Sequence, residues 1–216
     1  MSPDDSGTTS TERRRMVRRQ LSGRGITDER VLAAMAEVPR ELFVPDELRW
    51  RAYRDGALRI GEGQTISQPW IVAVMAQLLE LTGGERVLEV GTGSGYAAAV
   101  LARLCEEVVT IERHESLARE AAARLTELGY DNVEVRHGDG TAGAPDRAPF
   151  QGISVTATAA GEPPPALVEQ LDDGGRLVCP VARGGRELLL RLRDGVEDTV
   201  ADVRFVPLVA GDEDRM

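Results

Sequence analysis

The spacing of apolar residues changes character near residue 84 of this 216-residue chain. Beyond that point, short apolar runs such as RVLEV (86–90) and EVVTIE (107–112) alternate with amphipathic stretches of helical period. Strands that alternate with helices predict a doubly wound α/β sheet. Three further strands are expected in NVEVRHGDG, GISVTATA and GRLVCPV, and a closing antiparallel pair in RELLLRLR and TVADVRFVPLV.

The first third of the chain has helical patterns and no strand pattern. TDERVLAAMAEVP carries an apolar stripe at helical spacing, and Thr27 is its candidate N-cap. The preceding RRRMVRRQL reads as a basic helix, and the polar residues before it are expected to be disordered. We therefore divide the chain into a disordered tail (1–12), an N-terminal helical subdomain (13–84) and an α/β domain (85–216).

Charge and composition narrow the classes of partner. The net charge is −10, and the first 24 residues carry six arginines and three acids, which leaves −13 for the rest. Acidic charge on the rest of the chain disfavours binding to nucleic acid. It would attract a neutral or basic polypeptide, and a surface that is acidic only for solubility is the other interpretation. No signal peptide is visible and no apolar run approaches the roughly 18 residues of a membrane span. We expect a cytoplasmic monomer with no membrane partner.

The residues available for catalysis are few. All 26 basic residues are arginine, which excludes a lysine Schiff base and a phosphate-binding loop that needs lysine. Cys105 and Cys179 lie in apolar contexts without a partner at metal-ligand spacing, so we interpret them as core residues and expect no metal. His114 and His137 are the only histidines, and His137 is interpreted as structural.

The first strand of the α/β region leads into a glycine-rich turn, LEVGTGSGY. A nicotinamide-dinucleotide loop, G-x-G-x-x-G, is the natural competitor. Here the spacing is G-x-G-x-G, and Glu89 lies two positions before the first glycine. A buried carboxylate is unsuited to a pyrophosphate but would attract the ammonium of a methionyl group. The glycines of this turn are Gly91, Gly93 and Gly95.

Acidic residues also follow the next two strands. Glu112 ends the second strand, where it can accept both ribose hydroxyls of an adenosine. Asp139, between Gly138 and Gly140 after the third strand, is placed to meet the adenine edge. Ligands of doubly wound sheets bind at the carboxyl ends of the strands. A glycine turn and two acids at successive strand ends therefore predict S-adenosyl-L-methionine as cofactor, and S-adenosyl-L-homocysteine as its product.

A polar loop, GEGQTISQPW, precedes a helix in the N-terminal subdomain. Ser67 is a good N-cap and Pro69 suits the first helical turn, so a purely local role is one interpretation. The other interpretation is that the loop takes part in chemistry.

Several segments together resemble the protein-L-isoaspartate O-methyltransferase family. They are RGITDERVLAAMAEVPRELFVP, AYRDGALRIGEGQTISQPWIVAVM, RVLEVGTGSGY, RHGDGTAG and VRFVPLV, and they cover nearly all of residues 14–210. The resemblance implies a Rossmann-like methyltransferase sheet with an N-terminal helical subdomain. It also implies methyl transfer to the α-carboxylate of an isoaspartyl residue, which leads through a succinimide to repair.

The same resemblance assigns roles to the polar loop and to the end of the chain. It implies that Ser67 is the active-site residue, and that Ile66 and the VRFVPLV strand offer backbone partners to the substrate. The residues placed on the substrate side are Arg59, Thr65, Ile66, Thr156, Val206 and Pro207.

Three departures from the family pattern leave the choice of substrate open. The chain has ALRI where the family usually has ALPI, so Arg59 stands in place of the proline. Gln151 replaces the usual aspartate, and TATAAGEPPP replaces the usual Ala-Ala-Pro-Glu run. Repair of isoaspartyl proteins is the first hypothesis. A dedicated enzyme that esterifies an aspartate of a basic precursor peptide, giving an aspartimide, is the second, and a peptide-binding module without activity is the non-enzymatic alternative.

Overall fold

The computed structural model describes residues 3–211. Six α-helices, with shorter 3₁₀ and π turns, surround one large sheet and a two-stranded hairpin. The α-helices are α1 (Pro3–Met16), α2 (Glu29–Glu37), α3 (Pro69–Leu78), α4 (Tyr96–Leu101), α5 (Glu115–Glu127) and α6 (Pro165–Glu169).

The strands separate into the hairpin and an eight-stranded sheet. The hairpin pairs β1 (Leu58–Arg59) with β2 (Thr65–Ile66). The sheet contains β3 (Arg86–Val90), β4 (Glu107–Glu112), β5 (Val133–His137), β6 (Phe150–Val155), β7 (Ala159–Ala160), β8 (Leu171–Arg183), β9 (Arg186–Arg193) and β10 (Val196–Asp202).

The order of the strands matches a doubly wound sheet that closes with an antiparallel pair. It is β5-β4-β3-β6-β8-β9-β10, with β7 paired to β8. Strands β3, β4, β5, β6 and β8 are parallel to one another, whereas β9 is antiparallel to β8 and β10 is antiparallel to β9. The carboxyl ends of the parallel strands therefore meet at one edge of the sheet, as the sequence predicts.

The start of the chain differs from the expected disordered tail. Residues 3–12 belong to α1, while residues 1–2 lie outside the described part. The last turn of α1 is tied to the body through Arg13, whose Nη1 donates to the Glu37 carbonyl at 2.5 Å and whose Nε donates to the Tyr53 hydroxyl at 3.0 Å. Composition did not predict these contacts at the last turn of α1, nor the burial of Met16 at its end.

The end of the chain also differs from its prediction. β10 ends at Asp202, so VRFVPLV (203–209) is not a strand of the sheet. It forms a single parallel bridge instead, in which the amide of Thr158 donates to the Val206 carbonyl and the amide of Leu208 donates to the Thr158 carbonyl, both at 2.8 Å. Pro207 has no N–H and cannot extend a ladder. The segment therefore turns back toward the carboxyl edge of the sheet.

One apolar core connects the helices of the first third with the sheet. Met35 of α2, Met75 of α3 and Val108 of β4 belong to the same buried cluster. Cys105 and Cys179 are buried and unpaired, which confirms them as core residues. Within residues 3–211, none of the helices combines the length and the apolar character that crossing a membrane requires.

The cap of α2 lies one residue beyond its predicted position. Asp28 is the N-cap, and its carboxylate accepts from the amides of Arg30 and Val31. Thr27 instead donates its own amide to Gln77 Oε1 at 2.7 Å. Asp28 is at least as good a cap as threonine, so local sequence alone did not separate the two.

Candidate active site

A cavity opens at the carboxyl edge of the sheet, where the polar loop before α3, the glycine turn after β3 and the C-terminal segment 203–211 meet. Ten of the residues predicted for cofactor and substrate line it. They are Thr65, Ile66, Ser67, Gly91, Gly93, Glu112, Gly140, Thr156, Val206 and Pro207. Arg59, Glu89, Gly95, Gly138 and Asp139 lie outside its wall.

The glycine turn after β3 requires glycine for two reasons. Gly91, Gly93 and Gly95 all have positive φ angles, of 95°, 52° and 86°. At Gly91 a Cβ atom would also lie 2.3 Å from Thr156 Oγ1. The turn thus presents bare backbone to the cavity, and Gly95 begins α4 as its N-cap residue.

Glu89 lies behind the cavity wall, fully buried. Thr110 Oγ1 donates to its Oε2 at 2.6 Å, and the Thr110 and Thr92 hydroxyl oxygens are 2.7 Å apart. Because Thr92 lines the cavity, two hydroxyls connect the carboxylate to the cavity. Burial raises the pKa of Glu89 to about 8, and the nearby Glu112 adds to this effect.

Glu89 also has an unsatisfied acceptor. Its Oε1 is buried and has no hydrogen-bond partner among the described residues. A buried carboxylate oxygen without a donor is costly, and a cationic ligand close to it would offset that cost. The residues present therefore fit a cofactor that carries an ammonium group, although Glu89 acts from behind Thr92 and Thr110.

Glu112 ends β4 on the cavity wall. Its Oε2 accepts from the amide of Gly93 at 2.7 Å and its Oε1 from the amide of His114 at 3.0 Å. Each carboxylate oxygen can accept a second hydrogen bond. The carboxylate is therefore fixed in orientation and still able to accept hydroxyl donors from the cavity side.

Asp139 caps a 3₁₀ turn (Gly140–Ala142) rather than lining the cavity. Its Oδ1 accepts from the amide and the hydroxyl of Thr141, and its Oδ2 accepts from the amide of Gly211 at 2.6 Å. Burial alone would raise its pKa, but these hydrogen bonds hold the pKa below its usual value. The contact with an adenine edge that the sequence suggests remains a prediction.

The two glycines beside Asp139 occupy different surroundings. A Cβ at Gly140 would lie 2.5 Å from Val90 Cγ1, so only glycine fits there. Gly138 has a φ of 152° and donates its amide to the Glu112 carbonyl at 2.9 Å. Gly140 thus lets the third turn approach the glycine turn of β3 at the cavity.

Ser67 is not the N-cap of α3. Gln68 occupies the cap position and makes no side-chain cap hydrogen bond, while Pro69 begins the helix as predicted. The purely local interpretation of Ser67 is therefore wrong. The residue lines the cavity, and its carbonyl accepts from Arg40 Nη2 at 2.7 Å. The side chain is left for other uses.

The polar loop is a β-hairpin rather than an irregular loop. Leu58 pairs with Ile66 and Arg59 pairs with Thr65. Leu58 and Ile66 are buried, whereas Arg59 and Thr65 are exposed on the opposite face. The amide of Ile60 donates to the Gln64 carbonyl at 2.9 Å, which closes the turn. The hairpin holds Thr65, Ile66 and then Ser67 against the cavity.

Two residues at which the sequence departs from the family pattern, Thr156 and Gln151, lie at opposite edges of the sheet. Thr156 packs against the glycine turn, with its hydroxyl 2.8 Å from the Gly91 carbonyl. Gln151 lies where β6 begins, and it joins the amide of Arg86 to Asp172 Oδ2. That is the edge of the sheet opposite the cavity, and Gln151 is not part of the cavity wall.

Sequence reasoning missed a buried cation beneath the hairpin. Arg40 is fully buried, donates through Nε to the Ala52 carbonyl at 2.8 Å and lies 4.8 Å from the centre of the Tyr96 ring. Burial lowers the pKa of its guanidinium to about 10. Arg40 thus holds the backbone of Ser67 through its hydrogen bond to the Ser67 carbonyl. The sequence did not indicate this role, because an arginine that follows an amphipathic helix is ordinarily a surface residue.

Other missed residues connect the elements around the cavity. Thr110 is a polar residue between the apolar residues Val109 and Ile111 of β4, a signal that could have identified it as the partner of Glu89. Gln64 Nε2 and His114 Nε2, both on the cavity wall, are 3.4 Å apart. His137 is exposed, with its Nε2 3.1 Å from the Arg113 carbonyl. Among residues 3–211, no group of three His, Cys, Asp or Glu side chains could hold a metal ion.

Comparison with known families identifies the arrangement. Residues 11–213 match the family described as protein-L-isoaspartate(D-aspartate) O-methyltransferase (PCMT). The chain belongs to this family. The resemblance stated from the sequence motifs is thereby confirmed.

Relatives of this PCMT chain match over most of their length. It is 55% identical to protein-L-isoaspartate O-methyltransferase 1 of Rhodopseudomonas palustris, over 97% of this chain and 87% of that protein. It is 55% identical to the enzyme of Methanoregula boonei, over 93% of this chain and 94% of that protein.

Solved structures confirm the methyltransferase fold. A protein-L-isoaspartate O-methyltransferase matches with a TM-score of 0.79 and 30% identity, over 90% of this chain and 65% of that one. A Plasmodium falciparum protein described as a PCMT, solved in complex with S-adenosyl-L-homocysteine, matches with a TM-score of 0.79 and 26% identity, over 91% and 98% of the two chains.

Proposed function

We propose that this chain transfers a methyl group from S-adenosyl-L-methionine to the α-carboxylate of L-isoaspartyl residues in proteins and peptides, as the first step of their repair. Membership of the PCMT family confirms the predicted class of enzyme. The observation that carries the proposal for this chain is one cavity that joins the predicted cofactor turns, at Gly91, Gly93 and Glu112, to the Ser67 hairpin.

The cofactor supplies an electrophilic methyl group bound to a sulfonium. The backbone of the glycine turn and the carboxylate of Glu112 would hold it, with Glu89 compensating the ammonium from behind Thr92. Gly140 and the residues around it would border the adenine. These roles are supported by the unpartnered Glu89 Oε1 and by the close packing around Gly91 and Gly140.

The acceptor needs no general base. A carboxylate has a reference pKa near 4 and is already ionised at pH 7. The protein has to orient one carboxylate oxygen and exclude water, which favours reaction through proximity. Ser67 can donate its hydroxyl to that carboxylate, and the backbone of Ile66 and of residues 206–207 can align the peptide on either side.

Esterification prepares the repair step. The esterified carbonyl is a better acceptor than a carboxylate, so the following backbone nitrogen attacks it, releases methanol and closes a succinimide. Hydrolysis of that ring yields some normal aspartyl linkages. The enzyme contributes only the transfer of the methyl group.

The decisive experiment uses one short peptide in its isoaspartyl and aspartyl forms, with labelled S-adenosyl-L-methionine. We expect methylation of the isoaspartyl form alone. Calorimetry with S-adenosyl-L-homocysteine should give one site per chain. Binding without methylation of either form would contradict the repair function, and absence of binding would contradict the enzyme class for this chain.

The finer expectations about partners stay predictions. A preference for basic polypeptides rests on the net charge of −10 and would appear as a KM that rises with salt for lysine-rich substrates. The monomeric state, the lack of a nucleic-acid partner and the cytoplasmic location rest on composition alone. The dedicated precursor-peptide enzyme gains no support from the relatives, whose names describe isoaspartate methyltransferases.

A further inference from the structure

Arg59 is a cation without a partner beside the substrate-facing hairpin. Its backbone pairs with Thr65 in the hairpin, but its exposed guanidinium makes no hydrogen bond or ion pair within residues 3–211. The other charged residue of the hairpin, Glu62, accepts from Ser116 Oγ at 2.8 Å. Many other arginines of this chain are paired with carboxylates, as Arg86 is with Glu107. The charge of Arg59 is therefore available to a ligand.

The register of the hairpin fixes where that charge lies. Arg59 is the cross-strand partner of Thr65, so the two Cβ atoms are roughly 5 Å apart on one face. Thr65 and Ser67 line the cavity, whereas Arg59 does not. The guanidinium consequently belongs to the rim of the cavity, within reach of a residue next to the one that enters it.

We propose that Arg59 determines substrate specificity by favouring isoaspartyl peptides that carry a carboxylate next to the isoaspartyl residue. This inference rests on the proposed function. The flanking group would be an aspartate, a glutamate or the terminal carboxylate of a short peptide.

The reacting carboxylate is a poorer candidate for the same contact. Arg59 lies outside the wall that contains Ser67, where methyl transfer would take place. An arginine bound to the attacking carboxylate through two hydrogen bonds would also occupy the lone pairs that must attack the methyl group. A flanking carboxylate has no such conflict, and its contact changes binding rather than the chemical step.

The test compares isoaspartyl peptides that differ at one position. Glutamate, glutamine or lysine is placed immediately before or after the isoaspartyl residue, and KM and kcat are measured at low and high salt. The variants are Arg59→Gln and Arg59→Glu. Arg193→Gln is the matched control, because it removes the same charge from an exposed position on β9, where the parallel strands begin.

The wild type should show a KM about two- to fivefold lower for the glutamate peptide than for the glutamine peptide on at least one side, which is the range of an exposed ion pair. High salt should reduce the difference. Arg59→Gln should abolish it, Arg59→Glu should reverse it in favour of lysine, and Arg193→Gln should retain it, all with kcat unchanged.

Two results would overturn the proposal. One is equal KM values for all flanking residues in the wild type. The other is a uniform loss of kcat in Arg59→Gln, which would place Arg59 at the reacting carboxylate. Failure of every isoaspartyl peptide to react would count against the proposed function instead, so the two failures are distinguishable.

Discussion

At the scale of single residues, Glu89 shows how a buried titratable group can link pH to ligand binding. Its carboxylate has one unpartnered oxygen, and burial raises its pKa from 4.5 to about 8. Without cofactor, the folded state therefore holds a proton that the unfolded state loses above pH 4.5. The contribution of Glu89 to the free energy of unfolding is therefore fully present below pH 4.5. It is lost as the pH rises toward 8, because the unfolded state gives up its proton more readily than the folded state.

Binding of a cationic ligand should reverse the preference of Glu89. The ammonium of S-adenosyl-L-homocysteine favours the ionised carboxylate, so binding should release a proton. We expect the affinity to rise by up to about tenfold per pH unit between roughly pH 6 and 7.5. Calorimetry in buffers of different ionisation enthalpy measures the proton directly.

The variant Glu89→Gln separates this mechanism from other titrations. It should bind the ligand more weakly and with an affinity that no longer depends on pH in this range. Wild-type affinity that stays flat between pH 6 and 7.5 would show that Glu89 is already ionised or plays no part in binding.

Ser67 allows a second prediction at this scale. Because Gln68, and not Ser67, caps α3, removing the hydroxyl should leave the free energy of unfolding unchanged, instead of lowering it by a cap's ~1 kcal/mol. Turnover of Ser67→Ala should fall by about 10- to 100-fold, as for a misaligned acceptor. Affinity for S-adenosyl-L-homocysteine should persist.

Thr126→Ala is a matched control for Ser67→Ala. Thr126 donates its hydroxyl to the Ala122 carbonyl at 2.9 Å near the end of α5, and it is exposed outside the cavity wall. The turnover of Thr126→Ala should equal that of the wild type. Unchanged turnover in Ser67→Ala would remove Ser67 from the active site.

At the scale of elements, periodicity predicted the sheet because β3, β4, β6 and the second half of β8 contain short apolar runs between turns. It joined β6 and β7 into one strand, GISVTATA, which the structure divides after Val155. It also predicted the closing pair, although it extended β10 through VRFVPLV. That segment is fixed by contacts with residues distant in sequence. For example, the amide of Phe205 donates a hydrogen bond to Glu187 Oε2 at 2.9 Å. The pattern of neighbouring residues along the chain does not identify such distant partners.

The same distinction, between residues with a local sequence signal and residues fixed by distant contacts, applies to the candidate site. Gly91 and Glu112 were predictable because glycine turns and acids at strand ends have local signatures. Arg40 was not, because its role depends on carbonyls of Ala52 and Ser67 that the fold brings to it. The departure at Gln151 left the choice of substrate open, because the sequence did not show that its side chain bonds to Arg86 and Asp172, away from the cavity.

The position of the C-terminal segment 203–211 gives a third prediction. Glu187 Oε2 accepts from both the amide of Phe205 and the hydroxyl of Thr158, which holds the segment at the cavity. Glu187→Ala removes the side-chain anchor of Phe205, while the backbone bonds to Thr158 and the bond from Gly211 to Asp139 remain. If substrate binding must then order about one residue, at about 1 kcal/mol, the KM for an isoaspartyl peptide should rise by about fivefold, with cofactor affinity little changed.

Glu197→Ala controls for the loss of an acidic residue. Glu197 pairs with Arg183 at 2.7 Å on β10 and does not contact the segment. The KM of Glu197→Ala for the isoaspartyl peptide should match that of the wild type. Equal KM values for all three proteins would show that the segment is held independently of Glu187.

At the scale of the whole molecule, the N-terminal helices and the sheet share their interior. Met16 of α1, Val74 of α3 and Val178 of β8 belong to one apolar cluster. The cavity has walls from both parts, since Val72 of α3 faces it together with Ile111 of β4. The boundary predicted near residue 84 is a change of pattern along the chain, and we infer that the two parts unfold together.

The last prediction follows from that shared interior. Thermal unfolding should show a single transition, and S-adenosyl-L-homocysteine at 100 times its Kd should stabilise the fold by about 2.7 kcal/mol. For a chain of this size that corresponds to a Tm increase of about 5–10 °C. Circular dichroism reports the helices, and the fluorescence of Trp50 and Trp70 reports the N-terminal part, so the two signals should shift together. A fluorescence transition that stays in place while the circular dichroism transition moves would show that the ligand binds the sheet domain alone and that residues 13–84 form a separately folding unit.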